Sequence, residues 1–226
     1  MPNTDYKILA RKYRPSSFAE LIGQDSMVST ISNSINTGRI HHAYLFTGIR
    51  GIGKTTTARI LARTLNYTLD NQEYTPSIKL DKIGLNCDAI IESRHPDVFE
   101  MDAASNTGID HVREIINFAQ TKPTMAKYKI FIIDEVHMLS KQAFNGLLKI
   151  LEEPPEHVIF IFATTEIEKI PITILSRCQK FNLKRINNTV MSDYLKEICD
   201  KESIIIDNES VNIICTSSEG SMRDAL

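Results

Sequence analysis

The sequence predicts an α/β fold in which helices cover a parallel sheet, with a small helical domain after it. Short apolar runs that indicate strands alternate with segments whose apolar residues recur at helical spacing. After about residue 184 the strand signals stop, and two helical stretches follow at 189–202 and 208–218. We therefore expect a sheet domain over residues 1–183 and a helical domain over residues 184–226.

Five runs are expected to form strands, and several are apolar on both faces, as buried parallel strands are. They are HAYLFTG (42–48), DVFEMDA (97–103), KIFIID (129–134), VIFIFATT (158–165) and the weaker KFNL (180–183). Two apolar stripes between them predict amphipathic helices, one with Ile109, Val112, Ile116 and Ala119 and the other with Phe144, Leu147, Leu148 and Leu151. A further helix is expected from Asp25 to Thr37, ended by Gly38.

The composition, with 42% hydrophobic and 24% charged residues, is that of an ordinary globular domain and excludes a disordered or fibrous chain. The formal charge of −2 gives no basic excess, so contact with nucleic acid would need a local patch or an assembly of several chains. The longest apolar run has about six residues, against roughly 20 for a membrane span, and the N-terminus lacks an apolar signal segment. We expect a cytoplasmic protein without membrane contact, whose four scattered cysteines are reduced thiols.

The run GIRGIGKT directly follows the first predicted strand and fits the phosphate-binding pattern G-x-x-x-x-G-K-[ST]. Its glycines let backbone N–H groups face phosphate oxygens, and the helix that follows directs its positive end at the same charge. Lys54 is expected to neutralise the β and γ phosphates of ATP, and the Thr55 hydroxyl to hold Mg²⁺. A glycine-rich turn without a ligand is the alternative, which the strand–loop–helix context disfavours. The predicted nucleotide-binding residues of this loop are Gly48, Ile49, Arg50, Gly51, Ile52, Gly53, Lys54, Thr55 and Thr56.

Two carboxylates, Asp134 and Glu135, end the apolar strand in KIFIIDEVHML. They are predicted to lie at the carboxyl edge of a parallel sheet, where ligands bind in open α/β folds. Asp134 is expected to hold Mg²⁺ through water, and Glu135 to orient or deprotonate the attacking water. An isolated Asp-Glu pair is more often a solvated helix start, but the phosphate-binding loop upstream favours the functional interpretation.

Eight segments together resemble the AAA+ ATPase subunits of bacterial clamp loaders, the gamma/tau family of DNA polymerase III. These segments are ARKYRP, FAELIGQ, GIRGIGKTTTARILA, DAASNTGID, IFIIDEVHMLSKQAFNGLLKILEEPP, FATTE, ILSRC and EGSMRDAL. The resemblance runs from about residue 7 to the last residue, apart from a divergent insert near 67–95. It implies a RecA-like AAA+ three-layer αβα P-loop domain followed by a small all-α lid, which we expect to be cut short, with no collar domain after it.

The resemblance also implies roles that spacing alone does not assign. Thr165 is similar to the sensor-1 residue that contacts the γ-phosphate, and Arg223 to the sensor-2 arginine of the lid. Tyr13 and Arg14 match a segment that lies near the adenine and ribose. An N-terminal arm packed on the core remains the alternative for these two residues.

Arg177, in ILSRC, matches the arginine finger of the family. That residue acts in trans, because it enters the nucleotide site of the neighbouring subunit. The alternative is a surface arginine that closes a helix, since a cation in the last helical turn complements the macrodipole.

One feature departs from the family, whose members usually carry a four-cysteine zinc module after the P-loop helix. Here Tyr67 occupies the first ligand position, Asp81 and Gly84 occupy two more, and Cys87 alone remains. One thiolate cannot form the four-ligand shell of a structural zinc site. We therefore expect no zinc, and an insert over 68–86 that is held by ordinary packing or mobile.

The function implied by the resemblance is that of an ATP-driven motor in a clamp loader. Several such subunits, with non-identical partners, would open a sliding clamp and place it on primer–template DNA. Lys149 is a candidate for DNA contact, or else a solvated lysine. The chain shows no nucleotidyl-transfer site of its own, and by itself we expect a monomer with weak hydrolysis.

Two other functions remain open. One is a different AAA+ DNA-remodelling ATPase, such as a branch-migration helicase or an initiator ATPase, which ILSRC and LLKILEEPP disfavour. The other is a scaffold subunit of the loader that does not hydrolyse ATP, which the intact P-loop and the Asp134–Glu135 pair disfavour.

Overall fold

A five-stranded parallel sheet forms the centre of the fold in the computed structural model, which describes residues 8–69, 74, 76–78, 80 and 82–226. The strands are β1 (Ala43–Thr47), β2 (Val98–Asp102), β3 (Lys129–Asp134), β4 (Val158–Thr164) and β5 (Gln179–Asn182). Their spatial order is β2-β3-β4-β1-β5, and every pairing is parallel. The five predicted strands are confirmed, with ends that move by one residue at most.

Ten α-helices lie within the described residues. They are α1 (Leu9–Lys12), α2 (Asp25–Asn36), α3 (Lys54–Leu65), α4 (Cys87–Ile91), α5 (Ile109–Ala119), α6 (Lys141–Glu152), α7 (Ile172–Leu175), α8 (Asn188–Glu202), α9 (Asn208–Ser217) and α10 (Met222–Ala225). Single 3₁₀ turns occur at Phe18–Glu20, Val136–Met138 and Ile167–Lys169. No helix in these ranges is long and apolar enough to span a bilayer.

The helices cover the sheet on both faces, because alternate residues of the apolar strands point to opposite sides. One face packs Leu45, Phe131 and Phe160 against α5, α6 and α7. The opposite face packs Phe46 and Ile161 against α2, α3 and α4. The result is the three-layer αβα architecture that the sequence predicts.

The segment after β5 is helical, and side-chain caps set where its helices begin. Asn187 accepts the N–H of Thr189 at the start of α8, and Asp207 accepts the N–H of Ser210 at the start of α9. Met191 and Leu195 of α8, with Val211 of α9, belong to the same apolar cluster as the α2–α3 face. The helical segment therefore packs on the sheet domain, and the boundary at 183/184 stays a prediction.

Gln24 connects the two parts of the chain. Its buried side-chain amide donates to the carbonyl of Lys184 at 2.8 Å and accepts the N–H of Lys184 at 3.1 Å. Both hydrogen bonds go to the main chain of the connection between β5 and α8, so the position of this connection does not depend on the Lys184 side chain.

The helices α5 and α6 approach closely at Gly146. A Cβ atom added to Gly146 would lie 2.9 Å from the Ile109 Cδ1 and 3.5 Å from the Val112 Cγ1. The Ile109 methyl is the end of a flexible side chain, so one carbon can be accommodated, whereas a larger side chain has no room.

We predict that Gly146→Leu destabilises the fold by about 1–3 kcal/mol through overpacking. Gly146→Ala is the matched control, and its gain of about 1 kcal/mol in helix propensity should offset the single close contact. Urea unfolding with unchanged m-values would measure both free energies. Equal stability of the Leu variant and the parent would show that α5 and α6 are not in close contact here.

Candidate nucleotide-binding site

A cleft of about 1140 Å³ lies at the carboxyl edge of the sheet, between the sheet domain and the last helices. The order of the strands creates it, because β4 lies between β1, which leads into the P-loop, and β3, which ends in Asp134. The predicted site residues that line the cleft are Tyr13, Arg14, Ile49, Arg50, Gly51, Ile52, Gly53, Lys54, Thr55, Thr56, Asp134, Glu135, Thr165 and Arg223.

Lys54 begins helix α3 and is 5% exposed. Its Nζ donates to the carbonyl oxygens of Gly48 and Ile49, each at 3.0 Å. Burial lowers the pKa of this ammonium, while the charges of Glu135 and Asp134 act in the opposite direction. A cation in this position has been removed from water and is held against the loop itself, where it can neutralise a bound anion.

Gly51, in the middle of the loop, has φ of +77° and lies directly under the lid. A Cβ atom there would lie 2.1 Å from the Ser221 Oγ and 3.3 Å from the Arg223 Cβ. Any side chain would both strain the backbone and displace the start of α10. The glycine therefore permits the close contact between the lid and the phosphate-binding loop.

Asp134 ends β3 beside the first turn of α3. The Thr55 hydroxyl donates to its carboxylate, which also accepts the N–H of Glu135 at 2.9 Å. Burial raises the pKa of Asp134, and the hydrogen bond from Thr55 opposes that shift. A hydroxyl and a carboxylate in contact are oxygen ligands of the kind that Mg²⁺ uses beside a nucleotide, so the pair fits such an ion.

Glu135 has the left-handed backbone conformation φ +46°, ψ +45°, which a non-glycine residue adopts only at a local cost. This turn directs the side chain toward the end of β4, where Thr165 donates to one carboxylate oxygen from both its N–H and its hydroxyl, each at 3.2 Å. The two predicted residues are thus in direct contact.

Residues of the N-terminal arm and of the lid close the other side of the cleft. The Tyr13 hydroxyl donates to the carboxylate of Glu202 in α8, and Lys12 pairs with the same carboxylate. Burial lowers the pKa of Arg14, and the nearby charges of Arg59 and Arg223 lower it further. The arm is therefore attached to the lid, and it adds positive charge to the cleft.

Arg177 does not line this cleft. It follows α7, and its guanidinium donates to the carbonyl of Thr173 and to the carboxylate of Glu152, each at 2.6 Å. The neighbouring Cys178 is buried, which raises the pKa of its thiol to about 12 and leaves it unreactive. The bond to Thr173 satisfies one carbonyl of α7, a contact that fits the structural alternative, while part of the side chain stays accessible.

His137 and Gln24 also line the cleft, although the sequence interpretation did not select them. His137 follows Glu135 by two residues in DEVH, so a polar ring next to the carboxylate pair was visible in the motif. Gln24 had no comparable signal, because its partner Lys184 lies 160 residues further along the chain.

The described residues of the insert after α3 include no group of three or more side chains that could hold a metal ion. The buried Tyr67 ring lies where a side chain at Gly84 would be, since a Cβ atom there would be 3.0 Å from the ring and 2.6 Å from the Thr68 carbonyl. The Tyr67 hydroxyl donates to the Lys82 carbonyl at 3.0 Å, and the Cys87 sulfur accepts the Gly84 N–H at 3.2 Å. Asp81 lies outside the described residues. At the three predicted ligand positions that the structure describes, the chain has a tyrosine ring, a glycine and one thiol, which cannot form a four-ligand shell.

A phosphate-binding loop, a carboxylate pair on the next strand but one and a helical lid in contact with that loop define a P-loop nucleotide-binding domain with an AAA+ lid. The family described as "DNA polymerase III, delta subunit" matches residues 23–187, and "DNA polymerase III clamp loader subunit, ATPase lid domain" matches residues 190–226. The chain therefore belongs to the DNA polymerase III clamp-loader family. These matches confirm the resemblance on which the sequence interpretation depended.

Similar sequences include three bacterial DNA polymerase III subunits, each aligned over 98% of this chain. The gamma subunit of Buchnera aphidicola is 48% identical, and the tau subunits of Escherichia coli and Bacillus subtilis are each 44% identical. The matched region covers 59%, 34% and 38% of those proteins, respectively, so the chain spans about a third to three-fifths of their length.

Solved structures confirm the fold. The Thermotoga maritima RuvB Holliday junction branch migration motor matches 94% of this chain and 62% of its own, with a TM-score of 0.65 and 19% identity. A DNA polymerase III gamma-subunit-related protein of the same organism matches 85% of this chain and 58% of its own, with a TM-score of 0.50 and 20% identity. At these identities the likeness concerns the fold alone.

We predict that the purified, tag-free protein contains zinc at no more than trace stoichiometry by mass spectrometry, because a single thiol remains at the predicted ligand positions. Unfolding temperatures with and without a chelator should coincide, since a structural zinc site would contribute folding energy. Stoichiometric zinc, or a chelator-induced loss of stability, would contradict this.

Proposed function

We propose that the chain is the ATP-binding and ATP-hydrolysing motor of a DNA polymerase III clamp-loader subunit, which drives the loading of a sliding clamp onto primer–template DNA. The observation that carries the proposal is the convergence of Lys54, Thr55–Asp134 and Glu135–Thr165 on one cleft beneath the lid. Clamp loading and the partners it needs are activities of a whole subunit. The relatives are considerably longer than this chain, so this part of the proposal extends beyond the chain itself.

ATP would bind with its phosphates against the backbone N–H groups of the loop from Gly48 to Thr56, at the start of α3. Lys54 would exchange its two carbonyl acceptors for the β and γ phosphates. Thr55 and Asp134 would hold Mg²⁺, which neutralises charge on the phosphates. Tyr13 and Arg14 are proposed to lie near the adenine and ribose.

Hydrolysis requires a positioned water and stabilised charge. Glu135 is the proposed base, since its carboxylate ends beside the metal-binding pair and Thr165 fixes its orientation. Thr165 is also the proposed γ-phosphate sensor. Arg223 would approach the nucleotide from the lid, and its Cβ already lies against the space above Gly51.

Arg177 is the proposed arginine finger for a neighbouring subunit. It lies outside its own cleft, and its hydrogen bonds to Thr173, Ser176 and Glu152 hold the guanidinium at the surface, with the side chain 31% exposed. A finger supplied in trans contributes about 10³ to 10⁵ in rate in P-loop enzymes. Hydrolysis would then require assembly. The isolated chain, which we expect to be a monomer, should therefore hydrolyse ATP only weakly.

The remaining partners are proposed from membership in the family and not from contacts in the cleft. The clamp, DNA and other loader subunits follow from the family, with Lys149, exposed on α6, as a candidate for phosphate contact. A cytoplasmic location fits a replication protein. The enzyme class is ATPase, within a polymerase holoenzyme whose nucleotidyl transfer belongs to another subunit.

A branch-migration motor is the second candidate, because RuvB shares the fold. The sequence relatives at 44–48% identity are instead gamma and tau subunits, which favours the clamp loader. A scaffold subunit without hydrolysis is disfavoured, since Lys54, Thr55, Asp134 and Glu135 are all present in one cleft.

We predict that Lys54→Ala weakens ATP binding by at least about 100-fold, because two charge-assisted contacts to phosphate are lost. The unfolding temperature without nucleotide should change little, since the buried ammonium is not paired with a carboxylate within the described residues. Titration calorimetry would measure the affinity, with Lys196→Ala, an exposed lysine of α8, as the control. Parent-like affinity of the Lys54 variant would remove the P-loop assignment.

We predict that Arg177→Ala, in the full-length protein assembled with its partners, binds ATP normally but loses DNA- and clamp-stimulated hydrolysis. Arg39→Ala, an exposed arginine after α2, is the control and should keep full activity. Lys54→Ala and Arg177→Ala chains, each inactive alone, should regain some hydrolysis when assembled together. No recovery in a confirmed mixed assembly, with weakened ATP binding by the Arg177 variant, would show a role in cis.

A further inference from the structure

A buried histidine lies directly behind the proposed catalytic carboxylate. The side chain of His137 is 6% exposed and belongs to the 3₁₀ turn Val136–Met138 that follows Glu135. Nothing in the nucleotide-binding role described above uses this ring. Its contacts nevertheless reach both Glu135 and the loop after β4.

Each ring nitrogen of His137 has its own partner. Nδ1 lies 2.9 Å from the Thr164 Oγ1 and 3.4 Å from the Glu135 Oε2. Nε2 lies 3.2 Å from the Glu166 Oε1. The other oxygen of Glu166 pairs with Lys169 at 2.7 Å, so the carboxylate is held from two sides.

One tautomer of the neutral ring satisfies the contacts to Thr164 and Glu166. The Thr164 hydroxyl accepts the N–H of Glu166 at 3.0 Å, which leaves its own proton free to be donated to Nδ1. With the ring proton on Nε2, His137 donates to Glu166 and accepts from Thr164. The ring therefore fixes the residues on both sides of Thr165.

Thr165 in turn holds Glu135. Its N–H and hydroxyl both donate to the Oε2 atom, which is the same oxygen that faces Nδ1 of His137. Glu135 and Thr165 are thus joined by two hydrogen bonds between the end of β3 and the end of β4, and the ring holds Thr164 and Glu166 on either side of Thr165. Removing the ring would remove the contacts that hold Thr164 and Glu166, and with them the support of the loop that carries Thr165.

We propose that His137 is a positioning residue for ATP hydrolysis: it fixes the loop that carries Thr165, and through that loop the Glu135 carboxylate that directs the attacking water. This inference depends on the proposed function, because it requires Glu135 to be the base. A purely structural histidine would instead contribute only to stability.

The same loop continues through the turn Ile167–Lys169 and α7 to Arg177. His137 therefore also fixes the first residues of the segment that carries the proposed finger. The ring thus contacts the start of a segment that leads from the nucleotide cleft to Arg177, the residue proposed to act on a neighbouring subunit.

The test compares His137→Leu, which keeps the volume without polar atoms, with His137→Asn, which keeps a polar atom near the Nδ1 position. In the assembled full-length protein, His137→Leu should lower kcat by about 10- to 100-fold while the dissociation constant for ATP changes by less than about threefold. His137→Asn should recover part of kcat. An unchanged kcat for the Leu variant would overturn the proposal.

Glu166→Ala provides a second variant in case the Leu substitution impairs folding, because Glu166 is partly exposed. It removes the Nε2 partner and should lower kcat by about 3- to 10-fold, whereas Glu168→Ala, an exposed glutamate two residues on, should not. Equal rates for the two glutamate variants would contradict the proposed contact chain.

A Glu135→Gln background separates this inference from the proposed function. Single-turnover phosphate release should be strongly slowed by Glu135→Gln alone, and adding His137→Leu should slow it by less than about twofold more. A full further loss would show that the ring does not act through Glu135. If Glu135→Gln keeps the parent rate, the catalytic assignment itself is wrong, and the positioning role is wrong with it.

Discussion

The parallel pairing of β4 with both β1 and β3 is the constraint on which the rest of the structure depends. Register aligns Thr47 with Thr164 on one side and Ile133 with Phe162 on the other, so three strands end at one edge. All seven residues of β4 are buried, and this apolar strand can pair only inside the sheet. The phosphate-binding loop, the Asp134–Glu135 pair and Thr165 therefore lie side by side at that edge of the sheet.

Burial sets the electrostatics of the cleft. The pKa of Lys54 is lowered and that of Asp134 is raised, both mainly by removal from water. Each group therefore favours a partner of opposite charge more strongly than an exposed side chain would. Such a site is suited to phosphate and a divalent cation together. The phosphate would stabilise the buried charge of Lys54, and the cation would stabilise that of Asp134.

The described part of the insert after α3 is held by ordinary packing. At the insert, Tyr67 packs its ring beside Gly84, and its hydroxyl finds a backbone acceptor in Lys82. An aromatic ring contributes apolar burial at a position where the sequence resemblance alone would lead one to expect a zinc ligand. The nucleotide cleft, which lies at the other end of α3, is lined by the predicted loop residues from Ile49 to Thr56 and by Asp134, Glu135 and Thr165, whereas Gly48 does not line it.

The sequence by itself determined the five strands, the P-loop and the carboxylates of β3, because apolar period and contiguous motifs are properties of neighbouring residues. Tertiary structure decided the rest. The bond from Thr55 to Asp134 spans 79 residues, that from Gln24 to Lys184 spans 160, and the contacts of His137 depend on β4 lying next to β3. The location of Arg177 outside the cleft likewise follows from where α7 packs. Side-chain partners at such separations are chosen by strand order and helix packing, which no local pattern along the chain encodes.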